Sequence, residues 1–221
     1  AAFQAVLKEK AEPLLETWKN RLLSEPFLRP RARYGYFPVQ AEGDVLRVFD
    51  PEDRTRLIRE LAFPRQETGH RLAIPDFFAP ADSGRFDVLG LQLASLGREA
   101  AEYAAELFGA DRYADYFTFH GLATELTEAY AELVHGRIRR ELGIHGSDAQ
   151  ERRQLFSQGY QGSRYSFGYP ACPDLEGNGA LLELLDGKAI GVELTEGFQM
   201  VPEYATCALV AWHPQARYFA V

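Results

Sequence analysis

The strongest constraint on this chain is one long amphipathic run. Across residues 111–142, Tyr113, Tyr116, Phe117, His120, Leu122, Ala123, Leu126, Tyr130, Leu133 and Ile138 recur at intervals of three and four. That period is helical, and Gly143 stands where a left-handed C-cap would end the helix. The sequence on both sides reads as strand. "RYGYFPVQAEGDVLRVFD" gives a strand, a turn at Glu42 and Gly43, and a second strand. Residues 54–61 alternate as a third. Residues 86–95 form a β-branched, apolar run that suits a central strand. The Ala/Glu-rich residues 96–108 predict a helix that stops before Gly109. After the long helix come a short helical stretch over 149–158 and a second in "ALLELLDG", closed by Gly187. "IGVELTEGFQM", "YATCALVAW" and "ARYFAV" then read as strands, with "HPQ" as the turn between the last two. Strands, then helices, then strands predict a mixed sheet with helices packed on it, and the close spacing of strand pairs favours antiparallel pairing.

Upstream, Phe3, Leu7, Leu14, Trp18 and Leu22 are spaced as a helix, which Pro13 either begins or kinks. Residues 1–30 are therefore expected to be an N-terminal helical segment, and residues 31–221 the body of one domain. A chain of 221 residues can bury one substantial core. Its apolar content of 46% argues against disorder. A formal net charge of −8 removes any electrostatic case for a nucleic-acid partner and would steer instead toward cationic ligands or basic proteins. No apolar run approaches the ~20 residues of a membrane span. The start of the chain, with Lys8, Glu9 and Lys10, lacks the form of a signal peptide. Cys172 and Cys207 are the only cysteines, which suits a reduced, cytoplasmic chain. The first residue is Ala1 and the last segment reads as a strand, so a piece of a longer protein is expected.

Chemistry-bearing patterns are sparse. The five histidines and two cysteines are scattered, with no pair at zinc-ligand spacing. No P-loop, dinucleotide fingerprint or nucleophile-elbow serine is present. His120 lies among aromatics in a predicted helix, as a core or partner-facing residue would. Glu125, Glu132 and Glu141 read as a solvated helix face paired with arginines. The outlier is "RYSFGYPACPD", residues 164–174, which sets an arginine, three aromatics, two prolines and a glycine in what reads as an irregular loop. A structural loop would use Gly168 for a turn and pack its aromatics beneath. A ligand loop would offer the planar fork of Arg164 to a carboxylate and let backbone approach the ligand at Gly168. Composition does not choose between the two.

From Arg164 to its end the chain resembles the C-terminal activation domain of cobalamin-dependent methionine synthases. The matching residues are Arg164, Gly168, Tyr169, Pro170, Ala171, Cys172 and Pro173, then Leu194-Thr195-Glu196, Met200, Pro202, His213-Pro214 and Tyr218-Phe219. "YGYFPVQAEGDVLRVFD" and "TEAYAELVHGRIRRELG" resemble upstream segments of the same family, so the likeness runs from about residue 10 onward. It implies an α+β fold, a twisted, mainly antiparallel sheet flanked by helices in a crescent. It also implies S-adenosylmethionine as the bound cofactor, with its methyl group presented to reduced cobalamin when the parent enzyme is reactivated. Cobalamin and zinc would belong to other domains of that enzyme. The partners implied are its cobalamin-binding domain and flavodoxin or another one-electron donor, with neither nucleic acid nor membrane involved.

Carried over residue by residue, Arg164 would hold the ligand's carboxylate. Gly168, Tyr169 and Ala171 would line it with a loop, and Tyr218 and Phe219 would supply an aromatic pair. Glu128, on the long helix, would face the sulfonium or ammonium. No catalytic acid or base and no metal ligand are implied, because a strong nucleophile and a sulfonium leaving group need only positioning. Two features depart from the family. Its ligand-binding aspartate ahead of the first helix has no counterpart here, and a glutamate six residues before the motif arginine is replaced by Gln158. Both remove negative charge near a cationic ligand. The alternative is therefore a docking module for the cobalamin domain or flavodoxin that binds S-adenosylmethionine weakly or not at all.

Overall fold

The computed structural model describes residues 7–221. Phe3, named above as part of the first helix, lies outside them. After a short π-helical turn at Leu7–Ala11 comes α1 (Glu12–Ser24), with Pro13 in its first turn, where a missing N–H costs nothing. The strands β1 (Arg31–Glu42), β2 (Val45–Phe49), β3 (Leu57–Ala62) and β4 (Asp87–Ser95) follow. Helices α2 (Arg98–Gly109) and α3 (Tyr113–Glu141) lead to the short α4 (Arg152–Leu155), β5 (Ser163–Tyr165) and α5 (Gly177–Leu184). The two-residue strands β6 (Glu193–Leu194) and β7 (Met200–Val201) precede β8 (Ala205–Ala211).

Six strands form one sheet in the order β3-β2-β1-β4-β8-β5, and every neighbouring pair is antiparallel. The apolar run of β4 sits at its centre and is buried over nearly its whole length, as a strand covered on both faces must be. One face packs Val39, Leu46, Leu91, Leu209 and Tyr165 against Phe77, Leu181 and Leu185. Over the other lies α3, whose Val134 and Ile138 meet Val210 of β8. A second cluster joins Trp18, Phe27, Leu107, Phe119 and Tyr204, and so fastens α1 and α2 to the first half of α3. Gly143, in the left-handed region, caps α3 as expected. Its N–H bonds to Arg140 and that of Ile144 to Arg139, the paired bonds of a Schellman motif. Among the described residues no helix is long and apolar enough to cross a membrane.

Three local expectations are corrected. "IGVELTEGFQM" is a tight hairpin, β6 paired with β7, because Thr195 and Phe198 close a turn at its middle. The loop motif is not wholly irregular, since Arg164 and Tyr165 belong to β5 and pair with Val210 and Leu209. "ARYFAV" is not a strand. The free side of β8 is taken by β5, so the tail has no ladder to join. Its backbone groups are satisfied otherwise: Tyr165 donates to the Arg217 carbonyl at 2.8 Å, Gln66 Nε2 to the Ala220 carbonyl at 2.6 Å, and the Val221 N–H to the Pro170 carbonyl at 3.0 Å.

Candidate functional site

Strand β5 sets the site. Ser163 and Tyr165 are buried, and the alternation of a strand turns Arg164 to the opposite face. There Arg164 Nη2 donates to Glu128 Oε2 of α3 at 3.1 Å. The other tine of the fork, Nη1, is buried and has no hydrogen-bond partner among the described residues. Glu128 is half-exposed, so the pair stands at a surface with one guanidinium nitrogen still to be satisfied.

Beyond β5 the chain turns sharply. The Gly168 N–H bonds to the Cys172 carbonyl and the Cys172 N–H to the Tyr169 carbonyl, each at 2.9 Å. Gly168 has φ +86°, and a Cβ there would lie 2.6 Å from Leu175 Cδ2. The turn buries Ala171 and Cys172 and leaves Tyr169 exposed. Cys172 gives its thiol to the Ser166 carbonyl, and burial pushes that thiol up to about 12, so it stays protonated near pH 7. Cys207, also a free thiol, is raised likewise by burial.

The tail supplies the opposite wall. Tyr218 is exposed, with Tyr169 and Cys172 nearby and the Ala171 amide facing its oxygen; partial burial raises its pKa. Phe219 points the other way, into the core, with ring centroids 5.9 Å from Tyr165 and 6.2 Å from Phe77. Gln158, at φ +57°, joins the two walls. Its Nε2 donates to Ser163 Oγ at 3.0 Å, and its Oε1 accepts from the Tyr218 N–H at 3.3 Å.

The structure thus brings Arg164, Glu128, Tyr169, Tyr218 and the turn at Gly168 to one seam, and places Ala171 and Phe219 beneath it. Beside the seam opens a cleft of about 1000 Å³ that Glu128 and Tyr169 share with Thr127, His120, Asn178 and Tyr204. Tyr204 and Asn178 carry no local sequence signal, since they reach the cleft through long-range packing of β8 and α5. His120 stacks on Tyr116 and meets the Tyr204 hydroxyl at 3.1 Å, which fits its reading as a packing residue.

One expectation about α3 is corrected. Glu132 is not on a solvated face. It accepts from Arg139 Nη1 at 2.9 Å, and Arg139 is almost fully buried. Burial works to raise the Glu132 carboxyl, but the neighbouring His135 and the hydrogen-bonded Arg139 guanidinium bring it below the usual carboxylate range. Glu141 does pair with Arg137 at the surface and accepts from Tyr34 and Tyr36 as well. Among the described residues no group of three or more His, Cys, Asp or Glu side chains could hold a metal ion.

A helix-flanked antiparallel sheet with a charged and aromatic seam at its edge defines an α+β domain built to hold a ligand at that edge. The chain belongs to the family described as vitamin B12 dependent methionine synthase, activation domain, which matches residues 4–221. It is 39% identical over 232 aligned residues to a methionine synthase of Mycobacterium tuberculosis and 38% identical to one of Mycobacterium leprae. In both cases all of the chain is covered, and it spans only 20% and 19% of those proteins. Among solved structures it resembles the MetH reactivation domain bound to AdoHcy. The TM-score is 0.88 at 29% identity, covering 97% of this chain and 70% of that one.

Proposed function

We propose that this domain binds S-adenosylmethionine along the seam and presents its methyl group to reduced cobalamin during reductive reactivation of a cobalamin-dependent methionine synthase. The observation that carries the reading is the unsatisfied Nη1 of Arg164 beside the half-exposed Glu128. A buried guanidinium N–H calls for an acceptor, and a planar carboxylate fits the fork. The solved relative bound to AdoHcy supports the choice of ligand, because AdoHcy differs from S-adenosylmethionine by the methyl group on sulfur.

In this reading the Arg164 guanidinium takes the ligand's carboxylate. Glu128 faces its cationic amine or sulfonium across a surface where the attraction is partly screened. Tyr169 and Tyr218 flank it with exposed rings, and the narrow turn at Gly168 lets backbone come close. Ala171 and Phe219 act as a floor and not as contacts. Cobalamin, held by another domain of the parent enzyme, supplies the nucleophile when reduced. The residues of this chain bind and orient and need move no proton. The cobalamin domain and a one-electron donor such as flavodoxin are the partners, and a cytoplasmic location suits the two free thiols. Calorimetric titration of the 221-residue chain with S-adenosylmethionine tests the reading. One saturable site is expected. No heat and no saturation would leave the docking-module reading in its place.

A further inference from the structure

Behind the seam lies a buried ionic cluster. Arg139 is 2% exposed and His135 fully buried. Arg139 Nε donates to both carboxylate oxygens of Asp148 at 3.0 Å, and its guanidinium lies 4.2 Å from the centre of the Tyr160 ring. Its Nη1 donates to Glu132 Oε1 at 2.9 Å and to His135 Nδ1 at 2.8 Å. Arg139 has no lone pair to offer, so His135 Nδ1 must be the acceptor and the imidazole neutral, with its proton on Nε2. That Nε2 has no partner among the described residues.

Asp148 and Tyr160 mark the two ends of one loop. Its base is closed by the Ala149 N–H to the Gly159 carbonyl at 2.7 Å and by the Gln161 N–H to Ser147 Oγ at 3.2 Å. Arg139 therefore ties both ends of this loop to α3. The loop carries Gln158 in its left-handed conformation and runs directly into Ser163 and Arg164. We propose that Arg139 and His135 are positioning residues for the ligand seam, and that protonation of His135 releases the loop and weakens ligand binding in acid.

The groups facing His135 set the sign. Arg139 from its own helix and Arg164 from β5 oppose a second positive charge, as does burial, while Glu132 favours one and the Tyr160 ring stands edge-on. Burial is the largest of these and lowers the His135 pKa, so the ring is neutral near pH 7. Once protonated, Nδ1 can no longer accept from Arg139, and two cations face each other at hydrogen-bond distance. Affinity is then full above the ordinary histidine range and falls as pH drops below it.

The inference rests on the S-adenosylmethionine reading, and the test separates the two. Kd for S-adenosylmethionine is measured from about pH 8 down to about pH 5 for the wild-type chain and for His135→Asn, whose amide oxygen can replace Nδ1 as acceptor but cannot titrate. The folded fraction is followed by circular dichroism at each pH. Wild type is expected to weaken by up to about tenfold per pH unit below the His135 pKa, while His135→Asn stays flat. Arg139→Lys should bind more weakly than wild type at every pH. Linkage provides a second readout on wild type alone, the His135 imidazole shift by NMR, which must titrate lower with ligand bound than without. Equal acid loss in wild type and His135→Asn, no acid loss in either, or an unmoved imidazole pKa would overturn the inference and leave the ligand assignment standing. Absence of binding by wild type at about pH 8 would sink both.

Discussion

The fork of Arg164 permits the sharpest test of the seam. One nitrogen, Nη2, is engaged by Glu128 at 3.1 Å, and the other, Nη1, is buried with no partner among the described residues. Arg164→Ala would remove the only assigned acceptor-seeking group at the carboxylate end of the ligand. A hydrogen bond to a charged group contributes roughly 1.5–3 kcal/mol, so the loss should be about 2 kcal/mol, or roughly thirtyfold in Kd. The fold should tolerate the change. The Arg164–Glu128 pair has side chains 21% and 48% exposed, and such pairs contribute at most about 1 kcal/mol to stability. Arg164→Lys should recover only part of the affinity, because an ammonium can serve Glu128 or the ligand but not both in one plane. Titration calorimetry and thermal melts on the three proteins separate binding from folding. If both variants bound S-adenosylmethionine as tightly as wild type, the carboxylate would have to sit elsewhere and the argument from the unpaired nitrogen would fail.

Three further outcomes are expected. Gln158→Glu should tighten S-adenosylmethionine binding by up to about tenfold, since a carboxylate can still accept from Tyr218 and from a rotated Ser163 hydroxyl while adding charge; calorimetry at two salt concentrations should show the gain shrinking with salt and smaller for AdoHcy. Phe219→Ala should cost about 3–5 kcal/mol of stability in a denaturant melt, as a core deletion does, whereas Tyr218→Ala should melt like wild type and bind more weakly; the reverse pattern would put Phe219, not Tyr218, at the ligand. Hydrogen bonds from Tyr36, Arg137 and Tyr34 hold the Glu141 carboxyl down to about 2, so it stabilises the fold above its ordinary range near 4.5 and this is lost as pH falls toward 2; an acid-unfolding curve for Glu141→Gln should lack that limb.

How much of this could be read from the sequence depended on range. The period of α3 and the apolar run of β4 are local, and both elements stand where the pattern put them, down to the Gly143 cap. The tail at 216–221 has strand propensity but no edge to pair with, because three residues of β5 occupy β8, and no local pattern in a Pro- and Gly-rich motif announces a three-residue strand. Glu132 failed for a related reason. Helical spacing says which residues share a face of α3, but not that the loop between Asp148 and Tyr160 folds over that face and turns it into an interior. Within the seam, the loop residues were legible through their resemblance to a known motif. The inward turn of Phe219 was not, since adjacent residues in extended backbone point to opposite sides and the motif does not say which of Tyr218 and Phe219 looks out.

The seam is assembled from three stretches far apart in sequence, around Glu128, from Gln158 to Ala171, and at Tyr218. Each is tied to something stiff. Arg164 is held in the ladder with Val210, Gln158 is clamped between Ser163 and Tyr218, and the tail is pinned by Tyr165 and Pro170. Several groups packed around it are held out of proton chemistry at neutral pH: the Cys172 thiol lies near 12, the Tyr165 and Tyr218 phenols are raised, and His135 is neutral. A site intended for general acid–base work would show the opposite, pKa values drawn toward neutrality. The seam offers one partly paired guanidinium, one half-exposed carboxylate and two exposed rings, an arrangement suited to fixing where a bound group points. On the proposed function that suffices, because a methyl transfer whose nucleophile comes from another domain and whose leaving group is already a sulfonium has its barrier lowered by orientation and not by proton movement. The proposed positioning role of Arg139 follows the same logic, since slack in that clamp would move Gln158 and Arg164 together.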